Sequence, residues 1–154
     1  MLQRHAARLL TRIGVAIDDH RAGPGGTRLQ VAALPYRSGE HGVEILLVTS
    51  RRSRRWILPK GWPLHGQSLA DSAAREAYEE AGIQGETAPG EIGRFMTMKP
   101  GAGPHPVLVF PLAVVTELAH WPEQRERSRK WFPIGEAIAA IAPDQRELLR
   151  GFEP

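Results

Sequence analysis

The stretch from Ser68 to Gly82 leaves this chain few ways to fold. A serine at Ser68 can accept a hydrogen bond from the first turn of a helix, with Asp71 as the acid of a capping box. Gly82 can take the left-handed conformation that ends one. Between them, at about 100° per residue, Glu76, Glu79 and Glu80 fall on one face and Ala70, Ala74, Ala77 and Ala81 on the other. Small residues let a helix lie close against a sheet. The three carboxylates repel one another, at a cost of a few tenths of a kcal/mol per pair even when exposed. A hard divalent cation removes that cost, and oxygen donors favour Mg²⁺, with Mn²⁺ also suitable, over zinc. Taken alone, Glu79-Glu80 reads more readily as an ordinary charged helix face. The expectation is that all three glutamates share one exposed face at a cleft.

The rest of the chain supplies the sheet. Residues 30–37 read as a core strand, in which Pro35 has to sit at an edge or a bulge. Residues 43–49 read as a buried strand and Trp56-Ile57-Leu58 as a short one that stops at Pro59. Residues 91–99 and 107–115 flank Pro100-Gly101-Ala102-Gly103-Pro104 and predict a hairpin with a rigid loop. Trp131-Phe132 begins a last strand, and residues 136–141 and 144–150 are helical around a break at Pro143. Strands and helices mixed in this order predict an α/β fold with a mixed β-sheet sandwiched between helices.

Residues 1–28 stand apart. Arg4, Arg8 and Arg12 lie among Ala and Leu with no acid before Asp18, and Leu2, Leu9, Leu10 and Ile13 recur at helical spacing. The segment reads as a short N-terminal helix, packed on the domain or on a partner chain, followed by a flexible link at Gly23-Pro24-Gly25-Gly26. An organellar transit peptide is the competing reading. Residues 29–154 read as the one folded domain. The 154 residues suit one core. There is no cysteine, which excludes disulfides, thiolate metal sites and cysteine nucleophiles and fits a reducing cytoplasm. No apolar run is long enough to span a membrane. The net charge of +3 suits an anionic ligand. Arg51, Arg52, Arg54 and Arg55 crowd one segment, and Arg125, Arg127, Arg129 and Lys130 another. Either run alone reads equally well as solvated surface charge.

The stretch Gly61–Ile83 resembles the signature of the Nudix family: Gly, five residues, Glu, seven residues, Arg-Glu, an aliphatic, any residue, Glu-Glu, any residue, Gly, an aliphatic. The chain supplies Gly61, Arg75-Glu76, Ala77, Glu79-Glu80, Gly82 and Ile83 at that spacing, after a typical Leu58-Pro59-Lys60. Gln67 departs, standing where the first signature glutamate belongs. An amide can still accept a hydrogen bond from Arg75 but adds no charge to a metal shell, so the number of metal ions is left open. Over roughly residues 30–150 the chain looks like the diphosphoinositol polyphosphate phosphohydrolase and diadenosine polyphosphate hydrolase branch. That likeness rests on the strand before the arginines, Arg55-Trp56-Ile57-Leu58-Pro59, Trp121-Pro122-Glu123 and Arg129-Lys130-Trp131-Phe132.

The resemblance implies a Nudix fold and Mg²⁺-dependent hydrolysis of a diphosphate linkage in a small phosphorylated molecule. Glu76, Glu79 and Glu80 would hold the metal, with the Gly61 carbonyl as a further ligand. Glu76 is the candidate general base, and Glu80 shares the catalytic role. Glu117 and Glu123 are alternative distal ligands or bases, each also readable as a surface residue. Arg75, Gln67 and Gly82 would be structural. Arg51, Arg52, Arg55, Lys60, Arg127 and Arg129 are candidates to grip phosphates. Trp62 or Tyr36 could stack on a base, although packing roles serve each as well, and His65 and His105 read as loop residues. The expected partner is the small phosphorylated substrate, not a membrane or a nucleic acid, and a homodimer stays open. Two other functions remain at this point: a generic nucleoside diphosphate-X pyrophosphatase, and a binding module without turnover, which Gln67 alone supports.

Overall fold

A computed structural model of the chain describes residues 28–99 and 103–154. The helix expected over residues 1–28 and the centre of the loop at residues 100–104 lie outside the described residues.

Strand β1 (Gln30–Gly39) is the axis of one mixed sheet. It runs parallel to β7 (Gly103–Glu117), with Val31 beside Leu108 and Ala33 beside Phe110. It runs antiparallel to β2 (Gly42–Thr49), but only from Tyr36 onward. Below that point β1 and β2 diverge. The fork is filled by β3 (Trp56–Ile57), which pairs with the end of β2, and β4 (Lys60–Gly61), which pairs with Val31 and Ala32 of β1. This wedge is what carries Gly61 to the site described below. β8 (Arg129–Pro133) pairs with β2, and β5 (Ile83–Thr87) and β6 (Gly93–Lys99) pair in succession with β7.

Alternation along the strands sorts the core into two layers. Val31, Ala33, Leu46, Val48, Leu108 and Phe110 face helix α1 (Leu69–Ala81). Ala32, Leu34, Ile45, Leu47, Val107 and Val109 face α2 (Ile134–Ala140), the 3-10 turn Pro143–Gln145 and α3 (Arg146–Arg150). The sheet is therefore sandwiched between helices as expected. On α1, Ala73, Ala77 and Ala81 are fully buried, so the backbone of the helix rides close to the strands. The break at Pro143 anchors the far layer: Gln145 is buried and its Oε1 accepts from Leu58 N at 2.9 Å.

Two strand expectations need revision. Pro35 is neither at an edge nor in a bulge; it is buried in the central strand, opposite Leu112. Ala33 N donates to Pro59 O, and two residues on, the Pro35 nitrogen points into the same fork, past β4 and before the first β2 pair. No ladder donor is lost there. Strand β5 was not expected at all. Its Ile-Gln-Gly-Glu-Thr is polar, exposed along its middle and broken by a bulge at Gln84/Gly85. Gly85 lies so close to Ala113 O that a Cβ there would collide with it. The hairpin of β6 and β7 is present and longer than expected, closing with Lys99 opposite Gly103.

Candidate active site

Helix α1 begins as its sequence dictates, with Asp71 N donating to Ser68 Oγ at 3.0 Å, and ends at Gly82 in the left-handed conformation (φ 63°). An α-helix leaves its last four carbonyls without intrahelical partners. Here Gly82 N donates to Tyr78 O, and the chain beyond β7 satisfies the other three. Glu123 N donates to Glu79 O, Trp121 Nε1 to Glu80 O at 3.1 Å, and Arg129 to Ala81 O at 2.8 Å. Leu118 N donates to Gly82 O, and a second Arg129 amine bonds Leu118 O at 2.7 Å. The helix has no basic residue in its own last turn. Arg129, stacked over Trp121 at 3.9 Å, provides the charge that its dipole favours. The same contacts pin residues 118–129 beside the glutamates.

The three helical glutamates are graded in burial instead of sharing an exposed face. Glu80 is 4% exposed, Glu76 is half-buried, and the Glu79 side chain is 31% exposed. Glu80 falls beside the sheet-facing stripe of Ala77 and Ala81, and Glu79 one position further toward solvent. The Glu76 carboxyl lies directly on Gly61, where any Cβ would overlap it. A side chain at Gly61 would therefore expel that carboxyl. Glu80 Oε2 accepts from Lys60 N at 3.3 Å, and its Oε1 from Arg127 at 3.1 Å. Glu79 accepts from Arg75 at 2.9 Å. Burial, with the negative charges of Glu79 and Glu123, pushes Glu76 up to about 7, against the pull of Arg127 and Arg75. Burial likewise lifts Glu80 to about 8. Arg127 opposes that shift, while Glu76 and Glu123 add to it. At Glu80 desolvation outweighs the paired guanidinium.

Glu123, open in the sequence between a distal site role and a surface role, belongs to this cluster. Its side chain is 15% exposed and accepts from Arg51 and twice from Arg127, at 3.3 Å each. Those bonds hold the turn after β2 against the segment after β7, and the Glu123 carboxylate pushes the Arg51 pKa further up. Glu117 does not join the glutamates; it accepts from Trp131 Nε1 at 3.1 Å and pairs with Arg129 and Arg37.

The arginines divide. Arg51, Arg52 and Arg55 are exposed on the turn after β2. Arg54, in the left-handed region at φ 57°, donates to Glu126 O. Arg127 is 8% exposed and its remaining amine donates to Thr49 O at 3.1 Å. Arg127 and Arg129 thus have their donors turned to carboxylates and backbone carbonyls of the protein, although both were expected to grip phosphate. Lys60 Nζ donates to the buried Gln30 at 3.2 Å. Arg75 bonds Glu79 and, among the described residues, makes no hydrogen bond to Gln67. Ser72 Oγ ties the intervening loop to the helix by accepting from Leu64 N at 3.1 Å. Trp62 lies between Arg28 at 4.1 Å and His105 at 5.0 Å, and Tyr36 packs edge-on against Phe152 in the far layer, so packing accounts for both rings. His65 is exposed.

The donor set suits a hard divalent cation: oxygens only, partly desolvated and mutually repelling, around a glycine whose bareness makes room for a carboxyl. Among the described residues no three acid or histidine groups are already gathered as a ligand set. Arg75 draws Glu79 outward, and Arg127 occupies an oxygen of Glu80. No described helix is long and apolar enough to cross a membrane.

A family model for the NUDIX domain matches residues 26–152. Nudix hydrolase 21, chloroplastic, of Arabidopsis thaliana is 34% identical over 142 residues, covering 88% of this chain and 71% of the relative. Diphosphoinositol polyphosphate phosphohydrolase 3-alpha of Homo sapiens is 31% identical over 122 residues, covering 77% and 71%. The crystal structure of a C. elegans Ap4A hydrolase superposes with a TM-score of 0.63 at 21% identity, covering 80% of this chain and 94% of that one, which attests the fold. Nudix hydrolases generally use divalent metal ions and act on phosphorylated small molecules. With its glycine-seated glutamate, its signature helix and these relatives, the chain belongs to the Nudix hydrolase family, whose members hydrolyse diphosphate linkages.

Proposed function

We propose that the protein is a Mg²⁺-dependent cytoplasmic hydrolase, able to use Mn²⁺, of small molecules carrying several phosphates, of the diadenosine polyphosphate or diphosphoinositol polyphosphate type. The observation that carries this reading is the exposed arginine turn, Arg51, Arg52 and Arg55, joined by the Arg51–Glu123 pair to the edge of a buried glutamate cluster. Cations beside the site of cleavage suit a substrate whose charge extends beyond the reacting diphosphate. The likeness to the human diphosphoinositol polyphosphate phosphohydrolase and to the C. elegans Ap4A hydrolase favours the same class.

Glu79 and Glu80, with Glu76 and the Gly61 carbonyl, are the residues that would hold the cation. When bound it neutralises phosphate charge and acidifies water. The rest falls to the chain. Glu76, whose carboxyl lies against Gly61, is the candidate to take a proton from the attacking water. The water oxygen bonds to phosphorus as the bridging P–O bond breaks, and the leaving phosphate carries away the bond pair. Arg51, Arg52, Arg55 and Lys60 grip the non-reacting phosphates. Arg127, Arg129 and Arg75 support the glutamates and their loops.

The test is the appearance of hydrolysis products, resolved by ion-exchange chromatography, from diadenosine polyphosphates, diphosphoinositol polyphosphates and nucleotide sugars, with Mg²⁺ and with chelator. Expected is Mg²⁺-dependent turnover greatest on the first two. Preference for nucleotide sugars would put the generic pyrophosphatase ahead, and binding without turnover would favour the binding module.

A further inference from the structure

The guanidinium of Arg127 sits where a cation of the acidic centre would have to work. It is almost wholly buried, and one amine bonds Glu80 Oε1 at 3.1 Å. The other oxygen of Glu80 already accepts from Lys60 N at 3.3 Å. A metal ion and Arg127 therefore contend for the same carboxylate. Arg127 does not depend on Glu80 alone, since Nε and the same amine also bond Glu123 at 3.3 Å each, and the remaining amine bonds Thr49 O at 3.1 Å. Glu123 is itself fixed, by Arg51 through its side chain and by Glu79 O through its backbone N–H.

We propose that Arg127 is a built-in counter-ion of the metal centre, a positioning residue that holds Glu80 while no metal is bound and yields it, drawn back by Glu123, when a divalent cation enters. The inference rests on the metal-dependent reading above. Its physical content is a competition. A buried carboxylate stripped of its partner is costly, so the guanidinium keeps the metal-free centre in shape. The same positive charge opposes a second cation, so removing it must tighten metal binding even as it loosens the metal-free protein. Glu123 acts in the opposite sense, by giving Arg127 somewhere else to bond.

The test is Mn²⁺ binding to the chelator-stripped full chain without substrate, by titration calorimetry, alongside melting in chelator and in saturating Mn²⁺. Arg127→Gln should bind Mn²⁺ about tenfold more tightly than wild type, the scale of one lost charge-assisted contact. It should also melt lower in chelator and gain more from Mn²⁺. Arg127→Lys keeps the charge and should stay near the wild-type affinity, which a purely structural role would not predict. Should Arg127→Gln not fold, Arg127→Met and the lysine variant provide the same contrast. Glu123→Gln should weaken Mn²⁺ binding alone but not in the Arg127→Gln background. Equal or weaker binding by Arg127→Gln and Arg127→Met, or a lysine variant that tightens as they do, overturns the proposal. A Glu123→Gln effect that survives in the double variant would make Glu123 a direct ligand and overturn its part. Absence of Mn²⁺ binding in every variant, wild type included, would instead bring down the metal reading and the inference with it.

Discussion

Arg51, Arg52, Arg54 and Arg55 stay exposed on the turn after β2, whereas Arg127 and Arg129 keep only 8% and 17% of their side chains in solvent. In the sequence the two basic runs look alike, and both were candidates to bind phosphate. In the structure the second run bonds helix α1, whereas the first bonds Glu123 and Glu126 on the loop after β7. The second run arrives from β7 and β8, beneath the end of α1, where carbonyls and a buried carboxylate wait for donors. The first lies on a turn whose backbone is satisfied by Ser50 and Arg55, leaving much of its charge facing outward. Density of charge along a chain does not assign a role; the partners that burial imposes do.

The comparison breaks most visibly at the acids that both runs face. Glu79→Gln or Glu80→Gln should each lower kcat about 10²–10⁴-fold. Wild-type turnover in both would remove the glutamates from the chemistry. Next in size is the stability contrast. Arg129→Met strips donors from the carbonyls closing α1 and should cost about 2–4 kcal/mol in chemical denaturation. Arg52→Ala should stay within about 0.5 kcal/mol. Equal losses would erase the distinction between the runs.

The exposed run is sharpened by substrate. Arg52→Ala or Arg55→Ala should lower kcat/KM about tenfold on diadenosine pentaphosphate and less on ADP-ribose, since each charged contact is worth roughly 1.5–3 kcal/mol. An equal drop on both substrates would mean that the turn does not read phosphate number. A last effect is on pH. Glu76 and Glu80 are raised from an ordinary 4.5 to about 7 and about 8, so the folded state binds their protons more tightly than the unfolded one. Their contribution to metal-free stability is complete below about pH 4.5 and is lost as pH rises through 7 to 8. In chelator, the stability of Glu80→Gln relative to wild type should therefore improve between pH 5.5 and about 8.5. A difference that does not change with pH would show that Glu80 keeps its ordinary affinity for protons.

Much of this was legible from residue types and spacing alone. Ser68 and Gly82 bound the helix because capping is local chemistry, and Ala73, Ala77 and Ala81 face the sheet because helical period is local geometry. Gly61, Glu76, Glu79 and Glu80 could be singled out for the same reason, their spacing being that of a family signature. What spacing cannot encode is which distant segment arrives. Glu123 and Arg127 join the cluster through a return of the chain more than forty residues after the helix, a pairing that burial and register decide. Pro35 is acceptable in the central strand only because Trp56–Gly61 fills a fork between β1 and β2, and β5 exists only because β7 offers it an edge. The sequence by itself determined the acidic helix, its caps and the two-sided sheet, because each depends on neighbours a few residues away. The tertiary structure alone decided that Glu80 would be buried, that Arg127 would be its counter-ion and that Arg51 would stay at the surface. Desolvation and pairing are properties of a place in the fold, set by groups that meet only once the chain has closed on itself.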